Sequence, residues 1–347
     1  MPDSIKPVDT SAGWSQPGQK LLITGTMFKN DGVTPAPGVI LYYYHTDING
    51  VYANRPGLDQ RVVRHGYIRG WVKSGPDGKY SIYTVRPSPY PNRTDPAHIH
   101  PAIKEPGNMN EYYIDEFVFD DDKLLTTQKR RAMENRGGSG ILRIVRDGEL
   151  QVAEHDIILG MNVPGYPATK KEGIISGLAP GNDQPSFTPF HAYGPDKGSH
   201  ACPVCKYGRY YGILYFVGNK PDWPAIREWL SFLEKESTQR KKYLKAYFVY
   251  GNANDYDPAN RMELLENLGK ELLLQQVALT FVPSFSDKQS DAYLNGIDPE
   301  SENTIIVYRH GSIIRNYTNL KPSETSYAML KSALDVSSSP YFELAGQ

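Results

Sequence analysis

An all-β sandwich followed by an α/β domain is the fold class that the sequence predicts, and three observations carry it. The chain has 347 residues, more than one core of ordinary size absorbs. Up to about residue 165, short apolar runs are punctuated by Gly, Pro, Asn and Asp turns; beyond about residue 200, strand-like runs alternate with helical periodicity. Between them, residues 166–200 contain Pro, Gly and Ser without apolar periodicity and read as a linker. The expected organisation is a β-sandwich over 1–165 and an α/β domain over 201–347.

In the first part, runs at 21–28 and 39–44 are separated by Asn30-Asp31-Gly32 and Pro35-Ala36-Pro37-Gly38. Runs at 67–72 and 80–85 flank Gly75-Pro76-Asp77-Gly78, strong hairpin chemistry. Strands are expected over 98–103, 112–119, 140–146 and 149–158, the last two joined by Asp147-Gly148, with one polar helix over 121–134. In the second part, strands over 212–217, 244–250, 277–282, 304–308 and 313–317 interleave with helices over 221–237, 260–275 and 323–334. Such alternation implies a three-layer α/β domain.

The formal charge is −1. The densest basic clusters, Lys129-Arg130-Arg131 and Arg240-Lys241-Lys242, read as solvated helix faces, so a nucleic acid is not an expected partner. No run of eighteen apolar residues offers a membrane-spanning helix. Met1-Pro2-Asp3-Ser4 lacks the pattern of a secretory signal, so a cytoplasmic location is the default expectation; an extracytoplasmic one stands open if a leader has been removed. Tyrosine is the dominant aromatic, with 25 Tyr against 11 Phe and 4 Trp, which suits strands and half-wet surfaces.

His98-Ile99-His100 places two imidazoles on one face of a strand with Ile99 on the other. Ahead of it, Arg86-Pro87-Ser88-Pro89-Tyr90-Pro91 presents a tyrosine from a proline-framed turn, and Asp47-Ile48-Asn49-Gly50-Val51-Tyr52 presents another just after a turn. A phenol with its ordinary pKa near 10 ligates only a metal that removes its proton, as a hard, highly charged ion such as ferric iron does.

These motifs resemble the intradiol ring-cleaving dioxygenases, the protocatechuate and catechol enzymes, over roughly residues 18–120. The likeness rests on Gly25, Thr34–Gly38, Asp47…Tyr52, Gly70-Trp71-Val72, Asp77-Gly78-Lys79-Tyr80, Thr84–Pro91 and Pro96–His100, in order. The resemblance implies a β-sandwich, an Fe(III) cofactor held by Tyr52, Tyr90, His98 and His100, and a catechol-type substrate. It further implies cleavage by dioxygen between the two hydroxyl-bearing carbons, and self-association. One tyrosinate, Tyr52 or Tyr90, would leave the iron and take a substrate proton; the resemblance favours Tyr90.

Two positions depart from the family. Asp95 stands three residues before His98, where the family carries arginine, and Arg93 is the candidate to replace it. Glu116, or Asp115, stands where the family tends to carry glutamine. The candidate catalytic residues are therefore Tyr90, Arg93 and Glu116. Both changes add negative charge, which suits a less acidic or cationic substrate. They also leave open an iron-binding β-sandwich with weakened turnover that serves as a binding module. His45, His65, His155 and His310 sit singly and read as structural.

Cys202-Pro203-Val204-Cys205 and the β-α-β-α-β-β-α order after it resemble thioredoxin-like proteins. The placement differs, because the motif precedes the first core strand and Gly218-Asn219-Lys220-Pro221 occupies the usual active-site position without a cysteine. A disulfide, a redox dithiol, and a zinc site with His200 and His191 all remain open. The expected role is that of a thioredoxin-like scaffold repurposed for partner binding or dimerisation, with a thiol-redox protein using Cys202 and Cys205 as the alternative.

Overall fold

The computed structural model describes residues 2, 4–107, 110–167, 175–254 and 256–346. The chain divides into two compact units, Met1–Lys171 with Glu343–Gln347, and Glu172–Phe342.

The first unit contains β1 (Val8–Thr10), β2 (Lys20–Phe28), β3 (Ile40–His45), β4 (Arg69–Lys73), β5 (Lys79–Val85) and β6 (His98–Lys104). It continues with β7 (Tyr112–Tyr113), β8 (Phe117–Phe119), the short helix α1 (Thr127–Ala132), β9 (Ile141–Leu142), β10 (Ile144–Asp147), β11 (Leu150–Glu154) and β12 (Ile157–Ile158). One sheet runs β1-β5-β2-β11-β10 with β12 also on β2; the other runs β4-β3-β6-β8-β9 with β7 also on β6. Period-two alternation decides which face is buried. Leu41 and Tyr43 of β3 are fully buried, whereas Tyr42 and Tyr44 stand half-buried on the opposite face. Leu21, Ile23 and Ile82 from the first sheet share one core with Leu41, Ile99, Ile103 and Phe117 from the second. This is the expected β-sandwich.

Buried phenols in that core find acceptors. Tyr43 donates to Asp9 Oδ2 at 2.6 Å and Tyr80 to the His155 carbonyl at 2.8 Å. At Gly25 a Cβ would stand 1.8 Å from the same His155 carbonyl oxygen, so only glycine lets β2 pass.

Four expected elements are shorter or broken. The strand anticipated over 112–119 is two pieces, because Ile103 and Ala102 pair with Tyr112 and Tyr113 while Ile99 pairs with Phe117. Residues 114–116 thus carry one more residue than the β6 segment they oppose, a bulge. Pro101, which has no N–H to donate, lies across from it. The helix expected over 121–134 contracts to α1, with Thr126 accepting from Lys129 N. The strands expected over 140–146 and 149–158 each divide in two.

The second unit contains β13 (Phe190–Tyr193), α2 (Pro203–Tyr207), β14 (Tyr211–Val217), α3 (Trp223–Arg240), β15 (Leu244–Tyr250) and α4 (Pro258–Glu271). β16 (Ala278–Phe281), β17 (Thr304–Arg309), β18 (Ser312–Thr318) and α5 (Glu324–Val336) follow. Asp222, Asp257 and Ser323 cap the three long helices by accepting from backbone N–H groups of the first turn. The sheet order is β13-β16-β15-β14-β17-β18, with β14, β15 and β16 mutually parallel and the remaining pairings antiparallel. Leu230 and Leu233 of α3, Leu265 of α4 and Leu330 of α5 all join the cluster on one face with Ile213, Phe248 and Ile305. The other face, through Leu214, Phe216, Val249 and Ile306, packs on Phe187, Phe285, Ala292 and Ile297. The α/β class is as expected, but one of the three layers is largely irregular chain instead of long helices.

That layer explains why 166–200 is not a linker where it is described. Phe187 is buried and β13 pairs antiparallel with β16. A segment that covers a sheet with single apolar side chains has no periodicity to read. Residues 168–174 of the expected linker lie outside the described residues.

Candidate metal centre

The outer face of the β4-β3-β6-β8-β9 sheet carries the site. His98 and His100 project from β6 on either side of Ile99, which is fully buried in the core. Two loops deliver the tyrosines, and they are tied together. Thr46 Oγ1 donates to the Ser88 carbonyl at 2.8 Å, Ser88 N to the Asp47 carbonyl at 3.1 Å, and Ser88 Oγ to the Ile48 carbonyl at 2.7 Å. Asp47 Oδ1 accepts from Asn49 N and Val51 N, closing the turn before Tyr52. Gly50 at φ +74° lets this turn lie against the proline-framed loop; a Cβ there would stand 2.0 Å from the Pro89 carbonyl oxygen.

The four predicted ligands come together. Tyr52 OH lies 2.8 Å from His100 Nε2 and in short contact with Tyr90 OH. Tyr90 OH lies 3.2 Å from His98 Nε2 and 3.4 Å from His100 Nε2. Each histidine is oriented through its other nitrogen: His98 Nδ1 faces the Pro96 carbonyl at 2.7 Å, and His100 Nδ1 faces Glu116 Oε1 at 3.0 Å. With Nδ1–H donating, both Nε2 lone pairs point at the phenols, the arrangement found around metal-binding histidines. Continuing the pairing of Ile99 with Phe117 by one residue sets Glu116 across from His100.

Burial, then the hydrogen bond and charge of Tyr90, push the Tyr52 phenol far up. The Tyr44 phenol is raised to about 12, chiefly by burial. Without a strong Lewis acid these phenols are neutral at pH 7. Burial alone would raise Glu116, but the hydrogen bond from His100 and the two histidines outweigh it and hold the carboxyl below its ordinary value. Two phenols and two imidazole nitrogens converging on one point fit a hard, highly charged cation better than a soft one.

His98, His100 and Glu116 also form a cluster whose ligand atoms lie within 4.8 Å of one another. Glu116 occupies the Nδ1 side of His100 and the phenols the Nε2 side, and one imidazole cannot direct both nitrogens at one ion. The set with two tyrosines is therefore the one that the ring orientations favour.

Arg93 is not brought to this centre. It pairs with Asp95, Nε to Oδ2 at 3.6 Å, with both side chains exposed, and neither lines the cavity beside the ligands. That cavity, about 330 Å³, is lined by Tyr52, Tyr90 and His100 together with Tyr44, Arg64, His65 and Tyr113. Tyr44 stacks between His65, at 3.9 Å and 7°, and His100, at 4.6 Å and 20°. His65, expected to be structural, is held by Tyr42 OH at 2.8 Å from its Nδ1 and also faces the cavity. Tyr42 and Tyr44 flanking buried Tyr43 were a readable signal of a ring-lined outer face; Arg64 carried none.

His45 and His155 are structural, as expected, both buried and both held down to about 4 chiefly by burial. His310 is buried as well. In the second unit, Cys202 and Cys205 form a disulfide. The zinc arrangement fails on both ligand types: the thiols are joined, and both ring nitrogens of His191 face backbone carbonyls, of Pro195 at 3.0 Å and Ala201 at 2.9 Å. His200 Nδ1 faces the Thr188 carbonyl.

Residues 3–136 match the family model described as Dioxygenase, the intradiol dioxygenases, so this N-terminal region carries that family's sequence pattern. Among solved structures, the chain is similar to the dioxygenase domain of a dioxygenase carbohydrate-binding protein fusion from Streptomyces sp. SirexAA-E. Identity there is 22%, over 46% of this chain and 91% of that one, with a TM-score of 0.35. Similarity extends to hydroxyquinol 1,2-dioxygenase from Pseudomonas putida DLL-E4, at 20% identity over 46% of this chain and 62% of that one, TM-score 0.34. Catechol 1,2-dioxygenase from Acinetobacter sp. ADP1 aligns at 19% identity over 47% of this chain and 62% of that one, TM-score 0.33. No curated protein matches the chain. Among the described residues, no helix is long and apolar enough to cross a membrane.

Proposed function

We propose that the first unit is a non-haem Fe(III) dioxygenase that opens a catechol-type ring between its two hydroxyl-bearing carbons. The observation that carries this reading is the convergence of Tyr52 OH, Tyr90 OH, His98 Nε2 and His100 Nε2 on one point. These four residues would hold the iron; when bound, it supplies the Lewis acidity that keeps phenolates and a catecholate ionised at neutral pH and prepares the ring for dioxygen.

The chain's own residues then do three things. Pro96 and Glu116 hold both imidazoles with Nε2 toward the cavity. Tyr90, whose oxygen is in contact with Tyr52 OH and with both Nε2 atoms, would as a phenolate accept a proton from a substrate hydroxyl. The stacked Tyr44 and His65 rings wall the cavity and exclude water from one side of it. A cavity of about 330 Å³ suits a single ring. Purified protein loaded with ferric iron should be red-brown from tyrosinate charge transfer, its band should shift on adding catechol, and oxygen should be consumed. Protein that stays colourless after iron loading removes the reading.

The second unit we read as a thioredoxin-like scaffold that serves partner binding. The absence of a cysteine from Gly218-Asn219-Lys220-Pro221, after β14, supports a scaffold over a reductase. Insulin reduction that is strong in the native chain and lost in Cys202→Ser would reverse that reading.

A further inference from the structure

We propose that Asp122 is a positioning residue for His98, acting on the ring through the peptide group that joins Pro96 to Ala97. The proposal rests on the dioxygenase reading and assigns what fixes one of its four ligands.

The two histidines are oriented by different means. His100 Nδ1 meets a carboxylate directly, Glu116 Oε1 at 3.0 Å, whereas His98 Nδ1 meets a neutral acceptor, the Pro96 carbonyl at 2.7 Å. The N–H of that same peptide group belongs to Ala97, and it donates to Asp122 Oδ2 at 2.7 Å, the short distance of a charge-assisted bond. A trans peptide holds its C=O and N–H antiparallel in one plane. Carboxylate, peptide and imidazole therefore form one chain of two hydrogen bonds. Negative charge at the N–H end polarises the peptide group and makes its carbonyl oxygen a stronger acceptor, so the Nδ1–H of His98 is held more firmly. His98 thus has a carboxylate behind it as His100 does, one peptide removed.

The fold delivers Asp122 to that place. β8 pairs with β6 through Val118 with His98 and Phe117 with Ile99, and the chain turns straight after it. In the turn, Asp122 N donates to the Phe119 carbonyl at 3.1 Å, Leu125 N to the Asp122 carbonyl at 3.0 Å, and Leu124 N to Asp122 Oδ1 at 2.8 Å. Leu125 is buried and packs with Val118 and Ile141. One carboxylate oxygen serves the turn, and the other is left for Ala97. The preceding Asp121 accepts from both terminal nitrogens of Arg86, at 2.9 and 2.6 Å, at the root of the loop that carries Tyr90. Asp122 does not line the cavity, so it reaches the site through His98 and not through contact with a substrate.

The experiment reads the full chain first without iron, by nitrogen NMR of its imidazoles at about pH 8, above the ordinary histidine value. In the native chain His98 should carry its proton on Nδ1. Asp122→Asn removes the charge and one of the two acceptors, and the Nε2–H tautomer should rise about fivefold, as a cooperative strengthening of about a fifth predicts for one interior hydrogen bond. Asp122→Ser, whose hydroxyl still serves Leu124 N, should do the same. Leu125→Ala loosens the turn without touching the carboxylate and should leave the tautomer in place. Ferric affinity, from chelator competition at the tyrosinate band, should fall about threefold in both Asp122 variants, less than the tenfold of a partner that touches the ring. A tautomer unmoved in both Asp122 variants, or moved as far by Leu125→Ala, overturns the role of Asp122 and leaves the dioxygenase reading standing. A native chain that takes up no ferric iron overturns both, and iron uptake thus separates the two failures.

Discussion

Replacing Glu116 by glutamine and by alanine separates two ligand sets that share His98 and His100. In one set Glu116 only orients His100, accepting from Nδ1 at 3.0 Å; in the other it is itself a ligand. An orienting partner of this kind contributes about 10–100-fold to metal affinity, or about 1.4–2.8 kcal/mol. The Glu116 side chain is 48% exposed, so water can replace it and the lower end applies. Glu116→Ala should therefore weaken ferric binding about tenfold. Glu116→Gln keeps an acceptor oxygen and should remain within about threefold of the native chain. The assay is competition against a ferric chelator, followed at the tyrosinate band. Were Glu116 a ligand, the amide would lose its charge at the metal, and glutamine would fall at least as far as alanine. That result, with the band displaced, would refute the assignment of the two tyrosines and two histidines.

Three more outcomes follow from the same structure. His45 and His155 are neutral in the fold with values near 4 against the ordinary 6.5; below pH 6.5 the unfolded chain binds protons that the fold refuses. Stability should therefore fall from pH 6.5 to 4, by about 3 kcal/mol per histidine, and His155→Gln should flatten that slope in urea melts; an unchanged slope contradicts it. Gly25→Ala, whose Cβ would stand 1.8 Å from the His155 carbonyl oxygen, should lower stability by about 3 kcal/mol in denaturant titrations; a change below about 1 kcal/mol would mean β2 yields there. Thiol titration of the denatured chain should find no free thiol before reductant and both Cys202 and Cys205 after it; Cys205→Ser should cost about 2 kcal/mol, the chain-entropy value for so short a loop.

The parts legible in the sequence were those whose chemistry is local. Alternation marks β3 and β6, turn residues bracket Tyr52, and prolines bracket Tyr90, so each ligand announces itself within a few residues. What joins the two tyrosine loops, the fit of Gly50 against the Pro89 carbonyl and of Thr46 and Asp47 against Ser88, spans some forty positions and has no local signature. Arg64 lies in a short turn of 3-10 helix at Gln60–His65 that only the folded sheet brings over Tyr44. Arg93 was misplaced for the opposite reason: closeness in sequence to His98 does not carry an arginine across from an exposed loop. In the second unit, β13 was unreadable because it is only four residues long and lies in a stretch otherwise without pattern.

The alternation of β6 ties the metal site to the sandwich as two readings of one strand. His98 and His100 face outward because Ile99 faces inward, and Ile99 pairs across to His45 on one neighbour and Phe117 on the other. Slide this strand by a single residue and two imidazoles enter an apolar core while an isoleucine takes the place of a ligand. Point substitution can thus erase the chemistry and leave the fold intact, as a silent sandwich. Insertion or deletion within 98–104 has no such freedom. Across descendants of this chain, loss of the metal site should be common, and displacement of it along the strand should not occur.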